Sequence, residues 1–153
     1  HSHSTCSLAD QCLLVYGGSG YSNATLSDVW IYNTKTGTWS QPALHGPIPT
    51  GREMHSAAMV GPSRMLAFGG RAADGRVLCD AVIFDTDSMT WGESEPTPFH
   101  RCSHCCVALP AQQTNNQGQE GSEQATAGDS SAGGGQQSAM QNVYVYGGFT
   151  GDA

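Results

Sequence analysis

The sequence is poor in charge, and the charge that it has is mostly acidic. Lys and Arg number 6 against 13 Asp and Glu, which gives a net charge of −7, and only 12% of the residues are charged. Lys and Arg nowhere form a cluster, so a phosphate backbone or an anionic bilayer would be repelled. Nucleic acid and membrane surfaces are therefore not expected as partners.

Long apolar runs and helical periodicity are also missing. No run approaches the roughly 20 residues of a membrane span, and the opening HSHSTC does not read as a signal peptide, so we expect a cytoplasmic or nuclear protein. The amphipathic 3.6-residue period is absent, whereas 20 Gly and 7 Pro predict frequent turns. These features favour an all-β fold.

Paired cysteine motifs are missing as well. The six cysteines include no CxxC pair and no even framework spacing. We interpret them as reduced, small, buried residues in a reducing compartment. The triplet Asn23-Ala24-Thr25 fits the glycosylation sequon, which would matter only in a secreted protein.

What the sequence does contain is an internal repeat. An apolar run ends in Gly-Gly three times, at LLVYGG (13–18), MLAFGG (65–70) and VYVYGG (143–148). A shift of 52 residues, from Gly17 to Gly69, also superimposes HSTC (3–6) on HSAA (55–58). The same shift matches an acidic, an aromatic and a tryptophan position, namely Asp28 with Asp80, Tyr32 with Phe84, and Trp39 with Trp91.

The third copy is interrupted. His3 and His55 precede their glycines by 14 residues, but His104 precedes Gly147 by 43, a surplus of 29. A segment of about that size, 112–141, is rich in Gln, Gly, Ala and Ser and has no aromatic or β-branched apolar residue. Such a segment cannot bury enough surface to offset its ordering entropy, so we expect a disordered insertion within a loop.

Each copy predicts four strands. The first starts at the histidine and runs to about Leu8 or Val60, the second ends at Gly-Gly, the third covers 28–33 or 80–85, and the fourth surrounds a tryptophan. The second and third strands carry apolar side chains on both faces, which is typical of strands covered from both sides. Neighbouring sheets must therefore pack against each other, with the tryptophans between them.

Glycine and Asx residues predict where the chain reverses. Each Gly-Gly pair ends a central strand, so one or both glycines should adopt positive φ or allow a close backbone approach. Asn33 and Asp85 should open tight turns, because their side chains can bond the backbone two residues on.

These residues together resemble Kelch repeats: Gly-Gly after four apolar residues, an Asp-led strand with Tyr or Phe, and Trp about twenty residues later, at a period near 50. The resemblance covers the whole chain except the insertion. It implies a β-propeller with four-stranded antiparallel blades, at about 3–40, 54–92 and, as a half blade interrupted by the insertion, 103–149. The motif positions are Gly17, Gly18, Asp28, Tyr32, Trp39, Gly69, Gly70, Asp80, Phe84, Trp91, Gly147 and Gly148.

Two and a half units are too few to close a propeller, which uses about 4 to 8 blades. We expect either a fragment of a longer polypeptide or blades supplied from elsewhere. An apolar sheet face should then lie open at each end of the stack.

The loops after Gly-Gly (19–27 and 71–79) should share a rim with the loops that lead to the next blade (40–52 and 92–101). The resemblance implies that this rim receives a protein or peptide, and loop sequence differs between copies while the framework repeats. For each single side chain, simple solvation of a loop residue is the alternative. The candidates are Tyr21, Asn23, His45, Arg71, Asp74, Arg76, Glu93 and Glu95.

Histidines recur at the start of the innermost strand and predict a ring near the channel mouth. Each bonds the backbone of a neighbouring blade, contacts a ligand or holds a metal, although spacings of 52 and 49 residues fall outside local zinc-ligand spacings. Arg52 and Arg101 precede two of them by three residues, and either bind an acidic ligand or hold an inter-blade carbonyl or carboxylate. Arg52, His55, Arg101 and His104 are therefore counted among the partner-binding candidates.

A metal site is not expected. HRCSHCC (100–106) is rich in ligand types, but only Cys102, His104 and Cys106 would share a strand face, about 7 Å apart. That spacing is stretched for tetrahedral zinc, whose ligands lie about 2.3 Å from the metal. We expect the small-core alternative for these cysteines, and no cofactor.

Enzymatic signatures are not found. The copper site of galactose-oxidase propellers and the Glu-x₃-Asp-x₃-His run of iron-dependent specifier proteins cannot be assigned, and no nucleophile-elbow, P-loop or dinucleotide fingerprint occurs. We therefore predict a non-catalytic protein-interaction scaffold or adaptor, such as a ubiquitin-ligase substrate receptor or a cytoskeletal scaffold. The alternative is a Kelch module of a larger enzyme whose catalytic domain lies outside this segment.

Overall fold

The computed structural model describes residues 1–111 and 141–151, which form three antiparallel sheets. The first sheet matches the predicted four strands in sequence order. A single 3₁₀ turn, Tyr21–Asn23, precedes its third strand and was not predicted. The strands of the first sheet are β1 (Ser4–Leu8), β2 (Cys12–Ser19), β3 (Thr25–Asn33) and β4 (Thr38–Ser40).

The second sheet differs from the prediction because its outermost strand is split. β8 (Thr90–Trp91) pairs with Phe84 and Asp85, whereas β9 (Glu95–Pro96) pairs with Asp80 and Ala81 on the same edge of β7 (Asp80–Asp85). The chain leaves this edge between them, where Ser94 Oγ donates a 2.7 Å hydrogen bond to Asp80. The strands are β5 (Ser56–Met59), β6 (Arg64–Phe68), β7 (Asp80–Asp85), β8 (Thr90–Trp91) and β9 (Glu95–Pro96).

The third sheet is a hairpin of β10 (Cys102–Pro110) and β11 (Gln141–Phe149). Cys102 pairs with Phe149 at one end, next to the His104–Gly147 pair, and Pro110 pairs with Gln141 at the other. Of the predicted insertion, residues 112–140 lie outside the described part of the chain, and Gln141 already belongs to β11. The insertion therefore joins the hairpin at the end away from the glycine pair.

The sheets cover one another through alternate side chains, as predicted. One face of the first sheet buries Leu14, Tyr16 and Val29 against the second sheet. The indole of Trp91 lies with its ring centroid 4.7 Å from those of both Tyr16 and Phe84. The opposing face of the second sheet contributes Met65, Ala67, Val82, Phe84 and Trp91.

Trp39 does not lie between sheets, contrary to the prediction. It packs on Tyr32 at 4.8 Å, as Trp91 packs on Phe84, yet it is 57% exposed. Its position is equivalent, but no described sheet covers this face of the first sheet.

Both glycines of each pair adopt positive φ, as predicted. Gly17 and Gly18 have φ of 61° and 99°, and Gly69 and Gly70 have 59° and 98°. A Cβ on Gly70 would also lie 2.7 Å from the Glu53 carbonyl oxygen. The pair is thus needed for both conformation and close approach.

The predicted Asx turns are confirmed. Asn33 Oδ1 accepts hydrogen bonds from the main-chain N–H of Lys35 and Thr36, and Asp85 Oδ1 accepts the equivalent two bonds. In this way the two turns fix the return of the outermost strand at the same end of the first two sheets.

The cysteines are free, but most are not buried. Two of them are buried, Cys6 and Cys102. The others are partly exposed (Cys12, Cys79 and Cys106) or exposed (Cys105). Cys105 is exposed because it pairs with Tyr146 on a face that no described sheet covers. Within residues 1–111 and 141–151, no helix is long and apolar enough to cross a membrane.

Candidate partner-binding surface

Arg52 ties the first sheet to the second. The side chain is fully buried, and its Nη1 and Nη2 donate to the two carboxylate oxygens of Asp80 at 2.9 and 2.7 Å. Nη1 also donates to the Gly69 carbonyl at 3.0 Å. Its main chain holds the first sheet, since its N–H donates to Leu26 and its carbonyl accepts from Gly18. Because Arg52 is buried, the predicted alternative, an arginine that holds an inter-blade carboxylate, describes it better than partner binding does.

Arg101 repeats this arrangement before the third sheet. Its Nη1 donates to the Gly147 carbonyl at 2.7 Å, and its own carbonyl accepts a 2.7 Å hydrogen bond from Gly70. The predicted alternative, an arginine that holds an inter-blade carbonyl, therefore describes it better than the partner-binding one.

His55 lies in the contact between the first and second sheets, which we call the first junction. Its Nε2 shares a 2.7 Å hydrogen bond with Ser4 Oγ, and its ring stands edge-on to Tyr16 at 4.9 Å. Burial, together with the neighbouring Arg52 cation, lowers the pKa of His55 to about 3. Because His55 is buried and bonds Ser4, the predicted alternative, a histidine that bonds a neighbouring blade, describes it better than partner binding does.

His104 occupies the equivalent place in the second junction. The side chain is buried, with its ring edge-on to Phe68 at 5.2 Å. Burial and then Arg101 hold the pKa of His104 below its ordinary value. Of the three repeated histidines, only His3 is exposed, on the uncovered side of the first sheet.

His45 does not belong to the predicted rim. It pairs with Thr90 of β8, at the end of the second sheet where Asp85 opens the turn. The connecting segment folds back along the sheet so that Leu44 packs against the core. This covering of the outer edge takes His45 to the opposite end of the sheet from the Gly-Gly loops.

A main-chain relay links the inner ends of the three sheets and was missed by sequence reasoning. Met54 N–H donates to Ser2 carbonyl at 3.0 Å, and Ser103 N–H donates to Met54 carbonyl at 2.8 Å. The three residues, each just before a histidine, have φ of 59°, 55° and 56° in chain order. No side-chain pattern marks them, because only backbone atoms take part.

The loops after Gly-Gly do lie at one common end of the first two sheets. Tyr21 is fully exposed, Asp74 and Arg76 are exposed, and Arg71 is half-exposed. Asn23 stands in the 3₁₀ turn beside Tyr21. The structure therefore brings these loop candidates to one surface, which we call the loop rim.

The loop rim is polar and has ordered charge. Arg71 Nη2 and Nε donate to Glu53 Oε1 at 2.7 and 3.0 Å, and Glu53 is buried. Arg76 Nε lies 3.7 Å from Asp74 Oδ2, and both side chains face solvent. Glu53 was missed from the sequence, where only its place beside Arg52 could have drawn attention.

A depression of about 280 Å³ lies between the first two sheets at this rim. Glu53, Arg71 and Ala72 line one side of it, and Ser19 and Thr25 line the other. The depression offers hydroxyl groups and an ion pair, and its volume suits one side chain of a partner. Among the described residues, no three His, Cys, Asp or Glu side chains are grouped so that they could hold a metal ion.

Two successive antiparallel sheets 52 residues apart, with a third joined to them by the same inner relay, are blades of a partial Kelch-type β-propeller. The KLHDC2/KLHL20/DRC7 Kelch-repeats domain matches residues 1–113. The chain belongs to the Kelch-repeat family.

Its relatives are much longer proteins. Host cell factor of Drosophila melanogaster is 30% identical over 115 residues, and Acyl-CoA-binding domain-containing protein 4 of Arabidopsis thaliana is 34% identical over 101. Kelch domain-containing protein 1 of Mus musculus is 36% identical over 91 residues. These alignments cover 63%, 64% and 54% of this chain, but only 8%, 15% and 21% of the respective relatives.

Proposed function

We propose that this chain is a non-catalytic protein-interaction module that binds a protein or peptide through the loop rim. The observation that carries the proposal is a contrast between framework and loops. Gly17-Gly18 and Gly69-Gly70 repeat the same φ angles and the same contacts with the next segment. The loops that follow them differ in sequence and conformation and face solvent.

The chemistry of the loop rim supports a protein partner. The loop rim carries a fully exposed aromatic side chain, Tyr21, in one loop and the ordered Arg71–Glu53 pair at the other. Exposed aromatic and arginine side chains are the residues that most often anchor protein interfaces. The depression between the loops could receive one side chain of the partner, with Arg71 oriented in advance by its ion pair.

The test is affinity capture with the double variant Tyr21→Ala/Arg71→Ala, followed by direct binding measurements with each purified protein that distinguishes it from the wild type. We expect the partner affinity to fall at least tenfold, about 1.4 kcal/mol. The matched control is Lys35→Ala/Asp87→Ala, which alters exposed residues in the turns at the opposite end of the sheets. If no protein distinguishes the rim variant from this control, the proposal is wrong.

A second candidate is a Kelch module within a larger enzyme. Two relatives favour it, because their names refer to other activities: Rho GTPase-activating protein gacHH of Dictyostelium discoideum and Acyl-CoA-binding domain-containing protein 4. The complete coding transcript distinguishes the two. A catalytic domain in the same reading frame would favour the enzyme, and a BTB or F-box segment would favour a ubiquitin-ligase adaptor.

A further inference from the structure

The buried arginine between the first two sheets contacts a defined set of groups on the second sheet. The Arg52 guanidinium donates to both carboxylate oxygens of Asp80, at 2.9 and 2.7 Å, and to the Gly69 carbonyl at 3.0 Å. Its main chain is bonded to the first sheet, through Leu26 and Gly18. The second sheet therefore provides a receptor for a guanidinium group that a neighbouring segment delivers.

The first sheet repeats this receptor on a face that is open to solvent. A shift of 52 residues takes Gly69 to Gly17 and Asp80 to Asp28. Both line a depression of about 330 Å³ on this face, together with the exposed indole of Trp39. We call this depression, lined by Gly17, Asp28, Trp30 and Trp39, the Asp28 pocket.

The chemistry of the Asp28 pocket suits an arginine better than a lysine. A planar guanidinium can present parallel N–H groups to a carboxylate and a further N–H to a main-chain carbonyl, as Arg52 does, whereas an ammonium acts as a point charge. Trp30 stands where the second sheet has Val82, so this pocket offers a second indole, and guanidinium groups stack on aromatic faces. Trp30 Nε1 already donates to Asp28 Oδ2 at 2.8 Å, but each carboxylate oxygen can accept more than one hydrogen bond.

The charge of the Asp28 pocket also favours a cation. Among the described residues that line it, Asp28 carries the only formal side-chain charge at neutral pH. His1 and His3 are its other titratable side chains, and the α-amino group of His1 donates to the Ser19 carbonyl at 3.1 Å. The net charge of −7 on the chain adds to the attraction for a cationic side chain.

We propose that the Asp28 pocket is a guanidinium-binding site that takes an arginine side chain from a segment outside the described residues. The arginine that serves the second sheet lies three residues before His55, and the shift of 52 places its equivalent directly before His1. An arginine joined there would reach the pocket along the path that Arg52 follows. A separate protein that presents an arginine on an extended segment carries the same chemistry.

NMR with a synthetic peptide tests binding from a separate molecule. The probe is the acetylated and amidated peptide of residues 41–52, which ends in Arg52, added to the full isotope-labelled chain. It should shift the indole N–H signals of Trp30 and Trp39 but not that of Trp91, which is buried in the first junction. Citrulline in place of Arg52 keeps the shape of the side chain but removes its charge, and should bind about tenfold more weakly.

Variants of the chain test the other side of the contact. Asp28→Asn should also weaken binding of the arginine peptide about tenfold, because it removes the charge of the pocket with little change in volume. Asp87→Asn is the matched control, since it alters an exposed carboxylate in the turn after β7, and it should bind as wild type.

A tethered version tests delivery from the same polypeptide. A copy of residues 41–52 is joined directly before His1, so that its arginine lies three residues ahead of His3. We expect the urea midpoint of unfolding to rise, because the added guanidinium binds only the folded chain. The rise should disappear when the copied arginine is replaced by glutamine, or when Asp28→Asn is introduced.

The two experiments also distinguish the sources of the arginine. Binding of the free peptide identifies a separate partner as a competent source, and stabilisation by the tethered copy alone identifies the same polypeptide. Either result supports the guanidinium site. The proposal is overturned if neither experiment distinguishes arginine from its neutral replacement, or if Asp28→Asn leaves both responses unchanged.

Discussion

At the scale of single residues, two equivalent aspartates show how surroundings decide what a side chain contributes. Asp80 accepts hydrogen bonds from the buried Arg52 and from Ser94. Burial acts to raise the pKa of Asp80, but these bonds outweigh it and hold the pKa below its ordinary value. Asp28, at the same position of the first sheet, accepts a bond from the exposed Trp30 indole instead. Only the Asp80 carboxylate compensates a buried cation.

We therefore expect Asp80→Ala to lower the free energy of unfolding by about 3 kcal/mol, because it leaves the Arg52 guanidinium buried without its counter-charge. Asp28→Ala is the matched control and should cost less than about 1 kcal/mol, as exposed pairings do. Urea denaturation at neutral pH measures both. Similar losses in the two variants would contradict the structural role assigned to Arg52.

The sequence could suggest this pair but could not choose its role. Arg52 precedes a repeated histidine in either interpretation, and an arginine that binds an acidic ligand looks the same in sequence as one that holds a carboxylate. The choice depends on burial, and burial depends on a partner 28 residues away. Arg71 and Glu53 pose the same problem, since 18 residues separate them.

At the scale of strands, β4 and β8 carry equivalent tryptophans with different cover. Trp91 is buried between Tyr16 of the first sheet and Phe84 of its own sheet. Trp39 has the partner within its sheet, Tyr32, but lacks the one from a neighbouring sheet. Comparing the stability lost on removing each tryptophan therefore measures what the contact between sheets contributes.

Trp91→Ala should therefore cost about 3 to 5 kcal/mol of unfolding free energy, as expected for a buried tryptophan that leaves a cavity. Trp39→Ala should cost about 1 kcal/mol, since it removes mainly one aromatic contact on a solvated face. Thermal and urea unfolding of the two variants provide the comparison. Equal losses would mean that packing between sheets adds little stability.

Most strands were predictable because their signals are local or periodic. The expected 80–85 strand agrees with Asp80–Asp85. The positive φ and the close backbone approach predicted for the Gly-Gly pairs at the ends of β2 and β6 are also confirmed. The split of the outermost strand and the 3₁₀ turn at Tyr21–Asn23 were not predicted. The split accompanies the Ser94–Asp80 bond and the turn includes Ser22 at positive φ, and neither leaves a periodic mark in the sequence.

At the scale of the whole molecule, both outer faces of the stack are apolar and exposed. On the third sheet, the exposed side chains alternate along paired strands and share one face: Val107, Leu109, Tyr144 and Tyr146. On the first sheet, Leu13, Trp30 and Trp39 are exposed. By repeat position, the exposed face of the third sheet is equivalent to the buried face of the first sheet. The exposed face of the first sheet is equivalent to the face of the second sheet that covers it.

The 153-residue chain should therefore self-associate through these faces at micromolar concentration, because they match two halves of an observed contact. Tyr144→Lys/Tyr146→Lys should shift the mass in sedimentation velocity towards the monomer, since it places two charges on the apolar face. Tyr21→Lys changes an equally exposed tyrosine on a loop and is the control. Association that Tyr21→Lys weakens as much as the double variant would argue against the sheet faces.

The relay through Ser2, Met54 and Ser103 has a consequence for how such a chain can change over generations. Its bonds join peptide groups alone, so they do not depend on the chemistry of the side chain, provided that the residue tolerates positive φ. Substitutions can rewrite these positions while the curvature around the axis is preserved. Proline is excluded, because its ring fixes a negative φ and removes the N–H that donates the hydrogen bond between sheets.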